Sequence, residues 1–169
     1  MAINVTISIG TIKGESAVNT GEIDVLAWSW GLTQSASSHI ATGGTSGSAD
    51  VRDLTITKYV DLASPNLISD CFYGVNEVLA VMKVMKAAGD SKSPSYPFIT
   101  MTMGDPGKSA DKGCVIVSSV TTGQDGGNDR FIETVTLNFS KVTFSYNPQK
   151  GIGSGAGSND KTLDIAGKK

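Results

Sequence analysis

The sequence predicts a mainly β domain, an antiparallel barrel or sandwich of about seven strands with one short helix. Three observations carry that expectation. Apolar residues recur at every second position in several separate runs, the signature of half-buried strands. Twenty glycines among 169 residues, with only 18% of the chain charged, suit short strands joined by tight turns. Only one stretch carries helix punctuation at both ends, Ser64-Pro65 before it and Gly74 after it. A chain of 169 residues can bury one sizeable core, so a single domain over residues 1–149 is expected, followed by a Gly/Ser/Lys-rich, flexible tail over 150–169.

The first run sets Ile3, Val5, Ile7 and Ile9 against Asn4, Thr6 and Ser8, a strand with its apolar side inward. After a polar connection, residues 22–34 hold both tryptophans and are apolar on two faces. Leu26, Trp28, Trp30 and Leu32 point one way, while Ile23, Val25 and Ala27 point the other. Such a strand gives one side to its own core and needs a second layer or another subunit for the other. Residues 35–50 have almost nothing to bury and read as a long flexible loop. A structureless excursion of that length inside a compact domain is uncommon and usually means either a function or a wrong assignment.

Strand alternation returns over 51–60, with Leu54, Ile56, Lys58 and Val60 opposed to Thr55, Thr57 and Tyr59. Ser64 as N-cap, Pro65 at the first helical position and Gly74 as stop predict a helix over 65–73, burying Leu67, Ile68, Cys71 and Phe72. Residues 75–88 fit both a helical stripe and a strand, and the pattern alone leaves the two open. Further strands are expected over 97–103 and 113–122, the second closing through the turn cluster 123–129 onto a long strand over 130–146. That strand changes phase. Phe131, Val135, Leu137 and Phe139 lie in odd register and Val142, Phe144 and Tyr146 in even register, so a bulge or sheet-switching bend is expected near Ser140-Lys141. In the tail, order is expected only near Leu163 and Ile165.

The residues exclude most chemistries. The single histidine, His39, sits in the Gly/Ser-rich stretch, where nothing would hold a base against a nucleophile. Gly107-Lys108-Ser109 lacks the upstream glycine of a phosphate-binding loop, and the glycines at 151, 153, 155 and 157 fail the dinucleotide spacing. Asp125 and Asp129 lack the ligand series of a calcium loop, and Cys71 and Cys114 form no Cys-x-x-Cys pair. The cysteines are expected as free buried thiols. No catalytic residue, metal or cofactor is expected. A net charge of -2 gives no reason to expect nucleic acid, and no apolar run is long enough to insert in a membrane as a helix. The N-terminal run has neither a basic segment nor an uninterrupted apolar one, so synthesis and folding in the cytoplasm without a signal peptide are expected. Two classes stay open: a barrel that encloses a small ligand, and a self-assembling structural protein.

Several blocks carry a resemblance. Lys13-Gly14-Glu15-Ser16, Ile23-Asp24-Val25-Leu26-Ala27-Trp28-Ser29-Trp30-Gly31, Asp53-Leu54-Thr55-Ile56-Thr57-Lys58-Tyr59 and Ala63-Ser64-Pro65-Asn66-Leu67 are similar to the haemolysin-coregulated protein (Hcp) family. So are Val117-Ser118-Ser119-Val120, Gly126-Gly127-Asn128-Asp129-Arg130, Glu133-Thr134-Val135-Thr136-Leu137-Asn138-Phe139 and Tyr146-Asn147-Pro148-Gln149. The resemblance covers most of residues 2–149. It departs at 101–113, which looks inserted, at Asn128, where the family often has glutamate, and over the final residues.

The resemblance implies a small two-sheet β-barrel with one helix at its side, and it makes 78–86 a strand. It implies a non-enzymatic subunit of the type VI secretion system inner tube, built of homohexameric rings that stack and are then secreted, with effectors carried in the lumen. Partners would be the chain itself, other type VI components and effector proteins. The alternative is a ligand-binding or effector-carrier barrel that builds no tube. The family's ring-stacking loop maps onto 35–49, which nominates Ser37, Ser38, His39, Ile40, Gly43 and Gly44. With Trp28 and Trp30 expected in the core, Ile23, Val25 and Ala27 are the expected subunit-interface residues.

Overall fold

The computed structural model describes residues 3–37, 45–86, 96–105, 107, 115–124, 130–148 and 157–167. Among these described residues, thirteen strands and one helix follow in the order β1 (Ile3–Ile9), β2 (Ile23–Val25), β3 (Ala27–Ser29), β4 (Leu32–Ser37), β5 (Thr45–Val51), β6 (Leu54–Tyr59), α1 (Ser64–Tyr73), β7 (Asn76–Glu77), β8 (Leu79–Lys86), β9 (Tyr96–Gly104), β10 (Val115–Gln124), β11 (Phe131–Phe139), β12 (Lys141–Tyr146) and β13 (Asn159–Asp164). Strands β13-β12-β9-β8-β1-β2 form a six-stranded sheet, β3-β6-β11-β10-β7 a five-stranded sheet, and β4-β5 a separate ribbon. All the pairings are antiparallel.

The two sheets are stitched by strands that turn a corner from one to the other, a standard way of wrapping a barrel-like sandwich. Val25 ends in the six-stranded sheet and Ala27 begins in the five-stranded one, with the Leu26 N–H donating to Thr57 O at 2.7 Å between them. Glu77 and Leu79 flank a second corner, and Phe139 and Lys141 a third. The third is the bend that the phase change at Ser140-Lys141 predicts. Odd-register Val135, Leu137 and Phe139 are buried before it, and even-register Val142 after it. Phe131 and Tyr146, at the outer ends, are exposed.

Between the sheets lie Ile7, Ile9, Ile23, Ala80, Met82, Met101 and Met103 from one side and Leu54, Ile56, Val115, Val135 and Leu137 from the other. Strand β6 alternates as its sequence predicts, with Leu54, Ile56 and Lys58 in and Thr55, Thr57 and Tyr59 half out. Residues 79–86 form a strand, as the family resemblance implies, and its Ala80, Met82 and Val84 face inward. On the outer face of the six-stranded sheet, the connection after β1 folds back and buries Thr6. Thr6 Oγ1 donates to Glu22 Oε2 at 2.5 Å, Asn19 Nδ2 donates to the same oxygen at 3.0 Å, and Lys83 Nζ donates to Glu22 Oε1 at 2.6 Å.

Helix α1 starts at Ser64, one residue before its expected start, so Ala63 takes the cap position and supplies no side-chain cap bond. It ends as expected at Gly74, whose φ of 63° lies in the left-handed region that glycine reaches without steric cost. The buried side is narrower than its pattern predicts. Leu67 is buried and Cys71 half-buried and free, but Ile68 and Phe72 face solvent.

Three expectations are corrected. Residues 22–34 are not one strand, because the corner at Leu26 breaks the alternation and inverts its faces. Ile23 and Val25 are therefore buried in the chain's own core, Leu26 and Leu32 are exposed, and Trp28 and Trp30 are half-buried against the core. The stretch read as a flexible loop over 35–50 is instead a hairpin over its described residues, with Leu32 opposite Val51 and Ser37 opposite Thr45. The tail carries β13, paired with β12 from Lys141↔Asp164 to Tyr146↔Asn159, so the six-stranded sheet extends beyond residue 149.

Candidate functional site

Among the described residues, a dense polar cluster joins β6, α1 and β11. Lys58 and Glu133 occupy inward positions of their strands, and both side chains are fully buried. Lys58 Nζ donates to Asp61 Oδ1 at 2.8 Å, Ser64 Oγ at 3.0 Å and Glu133 Oε2 at 2.9 Å. Ser64 Oγ donates to Glu133 Oε2 at 2.8 Å and accepts from the Asp61 N–H at 3.1 Å, and Thr122 Oγ1 donates to Glu133 Oε1 at 3.1 Å. A serine beside a lysine invites comparison with a nucleophile and its base. Here every ammonium proton of Lys58 is committed and the Ser64 hydroxyl points to a carboxylate, so neither group is poised for attack. The cluster clamps the start of α1 to the five-stranded sheet. Period-two position is the sequence signal that finds it, because Lys58 shares the inward face of Leu54 and Ile56, and Glu133 that of Val135 and Leu137.

A second acidic feature lies where α1 passes into β7. The carboxyls of Asp70 and Glu77 are hydrogen-bonded to each other. Burial pushes the pKa of Asp70 up against the opposing effect of that hydrogen bond, and burial together with the neighbouring Asp70 charge pushes Glu77 up. Glu22 behaves oppositely. Burial opposes its charge, but the hydrogen bonds from Lys83, Thr6 and Asn19 outweigh that and hold it below the ordinary carboxylate value.

Surface clefts among the described residues include three. One of about 400 Å³ is lined by Glu15, Asp24, Tyr59, Asp61, Arg130 and Phe131, with the Arg130 guanidinium 4.9 Å from the centre of the Tyr59 ring. A second, of about 320 Å³, lies beside Trp30, Arg52 and Asp53, where the Trp30 ring stacks on Phe144 at 6.3 Å. The third, of about 360 Å³, is an apolar groove between the ribbon and β13, walled by Leu32, Ala49, Val51, Leu163 and Ile165. Among the described residues no group of three or more His, Cys, Asp or Glu could hold a metal ion, and no helix is long and apolar enough to cross a membrane.

The sequence-nominated positions divide. Ser38, His39, Ile40, Gly43 and Gly44 lie outside the described residues, as do Lys108, Ser109, Cys114, Asp125 and Asp129. Ser37 closes the described end of the ribbon opposite Thr45. Of the interface candidates, Ala27 is exposed, whereas Ile23 and Val25 are withdrawn into the core and cannot contact a neighbour from there. The pattern gave no notice of the exposed apolar ridge on α1, since spacing alone assigns Ile68 and Phe72 to the buried side with Leu67.

These features fit known proteins closely. A family model described as "Type VI secretion system effector, Hcp" matches residues 6–146. Protein hcp1 of Pseudomonas aeruginosa is 43% identical over 155 residues, covering 90% of this chain and 88% of that protein. A solved structure of a type six secretion system protein superposes with a TM-score of 0.84 at 27% identity, covering 99% of each chain. The crystal structure of Hcp1 from Salmonella typhimurium gives 0.73 at 26% identity, over 100% of this chain and 99% of that one. The family pattern runs through both sheets, the ribbon and α1, and the chain belongs to the Hcp family of type VI secretion system effectors.

Proposed function

We propose that this protein is a structural, non-enzymatic subunit of the type VI secretion tube: copies assemble into homohexameric rings, the rings stack, and the tube is exported from the cytoplasm with effectors in its lumen. Family membership supplies the context. The observation that carries the reading is the ribbon, whose two strands pair with each other and stand apart from both sheets. A hairpin of this kind keeps its outer backbone groups available to another chain. The ribbon is the element proposed to reach the neighbouring ring; of the nominated residues, Ser37 lies at its described end opposite Thr45, and Ser38, His39, Ile40, Gly43 and Gly44 lie outside the described residues. The interior between the sheets is filled by aliphatic and methionine side chains, which favours a tube subunit over a barrel that encloses a small ligand.

Native mass measurement and negative-stain microscopy of the purified chain test the reading. Six-membered rings are expected. A strictly monomeric species at high protein concentration would overturn it.

A further inference from the structure

Strand β13 is held by backbone pairing to β12. It forms an outer edge of the six-stranded sheet and is laddered to β12 from Lys141↔Asp164 to Tyr146↔Asn159. The Thr143 and Thr162 hydroxyls, opposite each other on the two strands, are hydrogen-bonded at 2.8 Å. Just past the strand, the N–H groups of Ile165 and Ala166 donate to Ser140 O at 2.9 and 3.1 Å. Every residue of Asn159–Asp164 is exposed, and the half-buried Ile165 that follows packs against the core.

The strand that receives it is built differently. On its other side β12 is laddered to β9, from Val142↔Met103 to Tyr146↔Ile99. Val142 is fully buried, and Phe144 packs on the core with its ring stacked on Trp30 at 6.3 Å. So β12 presents a fixed edge whose outer N–H and C=O groups need a strand, and β13 supplies one without burying its own side chains. The tether is longer than this pairing needs. Residues 147–158, about twelve, separate the two strands, where a hairpin closes with about two to five. They include Gly151, Gly153, Gly155 and Gly157, and a chain of that length can span up to about 40 Å.

We infer that the outer edge of β12 is a strand-accepting surface with an exchangeable occupant, so that β13 of one copy pairs with β12 of a second copy. The backbone ladder, the Thr143–Thr162 bond and the Ser140 contacts are the same whether β13 comes from the same chain or another. Exchange therefore leaves the local contacts unchanged, and proximity decides between the two partners. Copies held side by side in an assembly supply that proximity. The inference rests on the assembling reading above and names a link between its copies.

Full-length chains with one cysteine each test it. In a background where Cys71→Ser and Cys114→Ser remove the native thiols, one chain carries Thr143→Cys and the other, isotopically labelled, carries Thr162→Cys. Neither can form a disulfide within itself. Mild oxidation of the assembled mixture should give a linked pair on a non-reducing gel, with one chain of each kind by mass, and either variant oxidised alone should give none. The double variant Thr143→Cys/Thr162→Cys, oxidised in the assembled state, should give linked species of two or more copies beside any chain closed on itself. Six-membered rings that yield no mixed pair, and only internally bonded single chains from the double variant, overturn the exchange and leave the tube reading standing. Linking no stronger in the mixture than in either variant alone overturns it equally. Mixed pairs without rings uphold the exchange and remove the ring reading.

Discussion

Lys58 Nζ lies 2.9 Å from Glu133 Oε2, and both side chains are fully buried beneath the start of α1. Placing two charges there carries a desolvation cost that the pair and its hydrogen bonds must offset, so the cluster is costly to break and cheap to replace whole. Lys58→Met alone should cost about 3–5 kcal/mol, because it leaves Glu133 buried without a counter-ion, and Glu133→Leu alone should cost less, because Asp61 still pairs with Lys58. The double replacement Lys58→Met/Glu133→Leu should recover a large part of that loss. Chemical denaturation of the three variants, read as a double-mutant cycle, checks the coupling. Additive losses would show that the two residues stabilise the fold independently.

The Asp70–Glu77 pair and Glu22 should give the isolated chain two opposite dependences on pH. For Asp70 and Glu77, the folded pKa is raised above the ordinary values of 3.8 and 4.5. The folded state then binds more protons than the unfolded one, so stability falls as pH rises from those values through the folded ones. Glu22 is held below 4.5, so its contribution is complete above that value and is lost as pH falls through its folded pKa. Asp70→Asn should therefore stabilise the chain at neutral pH and flatten the high-pH side of its profile. Glu22→Gln should destabilise it at neutral pH and flatten the acid side. Urea midpoints measured across the acid-to-neutral range for both variants check the two signs.

Shortening the ribbon should separate folding from assembly. Deleting residues 42–48 removes most of β5 but none of the buried core, so the unfolding midpoint should change little. Stacking should fall, with rings retained and tubes lost in micrographs. Tubes of undiminished length would show that the ribbon is passive.

Much of this fold is legible in the sequence where burial falls on alternate residues. Strand β6 shows its inward face through Leu54 and Ile56, α1 its limits through Pro65 and Gly74, and the turn between sheets at Ser140 its place through the change of phase. The corner at Leu26 leaves no such mark, because apolar residues continue on both sides of it. It is set by pairing to two different strands, Val5↔Val25 and Trp28↔Ile56, which no local pattern contains. The ribbon and β13 escape for another reason. Their sequences, Leu-Thr-Gln-Ser-Ala-Ser, Thr-Ser-Gly-Ser-Ala-Asp-Val and Asn-Asp-Lys-Thr-Leu-Asp, carry too few apolar residues to reveal a period. On α1, spacing finds the apolar stripe but not which of its residues the sheets leave uncovered.

Gly14 shows how closely the connection after β1 must lie on its neighbour. Its N–H donates to Gly21 O at 3.1 Å, and a Cβ placed on it would stand 2.3 Å from Glu22 O, 2.7 Å from Glu22 C and 2.8 Å from Ile23 Cα. All three are backbone atoms of the segment that carries Glu22 to its hydrogen bonds and Ile23 into the core, so no side-chain rotation can make room. Gly14→Ala should lift that segment from Thr6, weaken the Lys83–Glu22 ion pair and lower stability by about 1–3 kcal/mol, the usual cost of overpacking. Thermal unfolding measures the loss, and a comparison with Gly31→Ala supplies the control, because a Cβ at Gly31 meets nothing within 4 Å. Equal, small effects at the two positions would mean that the connection moves aside freely. A loss confined to Gly14→Ala, accompanied by a weaker contribution from Glu22 in the acid arm of the pH profile, would show that this close approach holds the carboxylate in place.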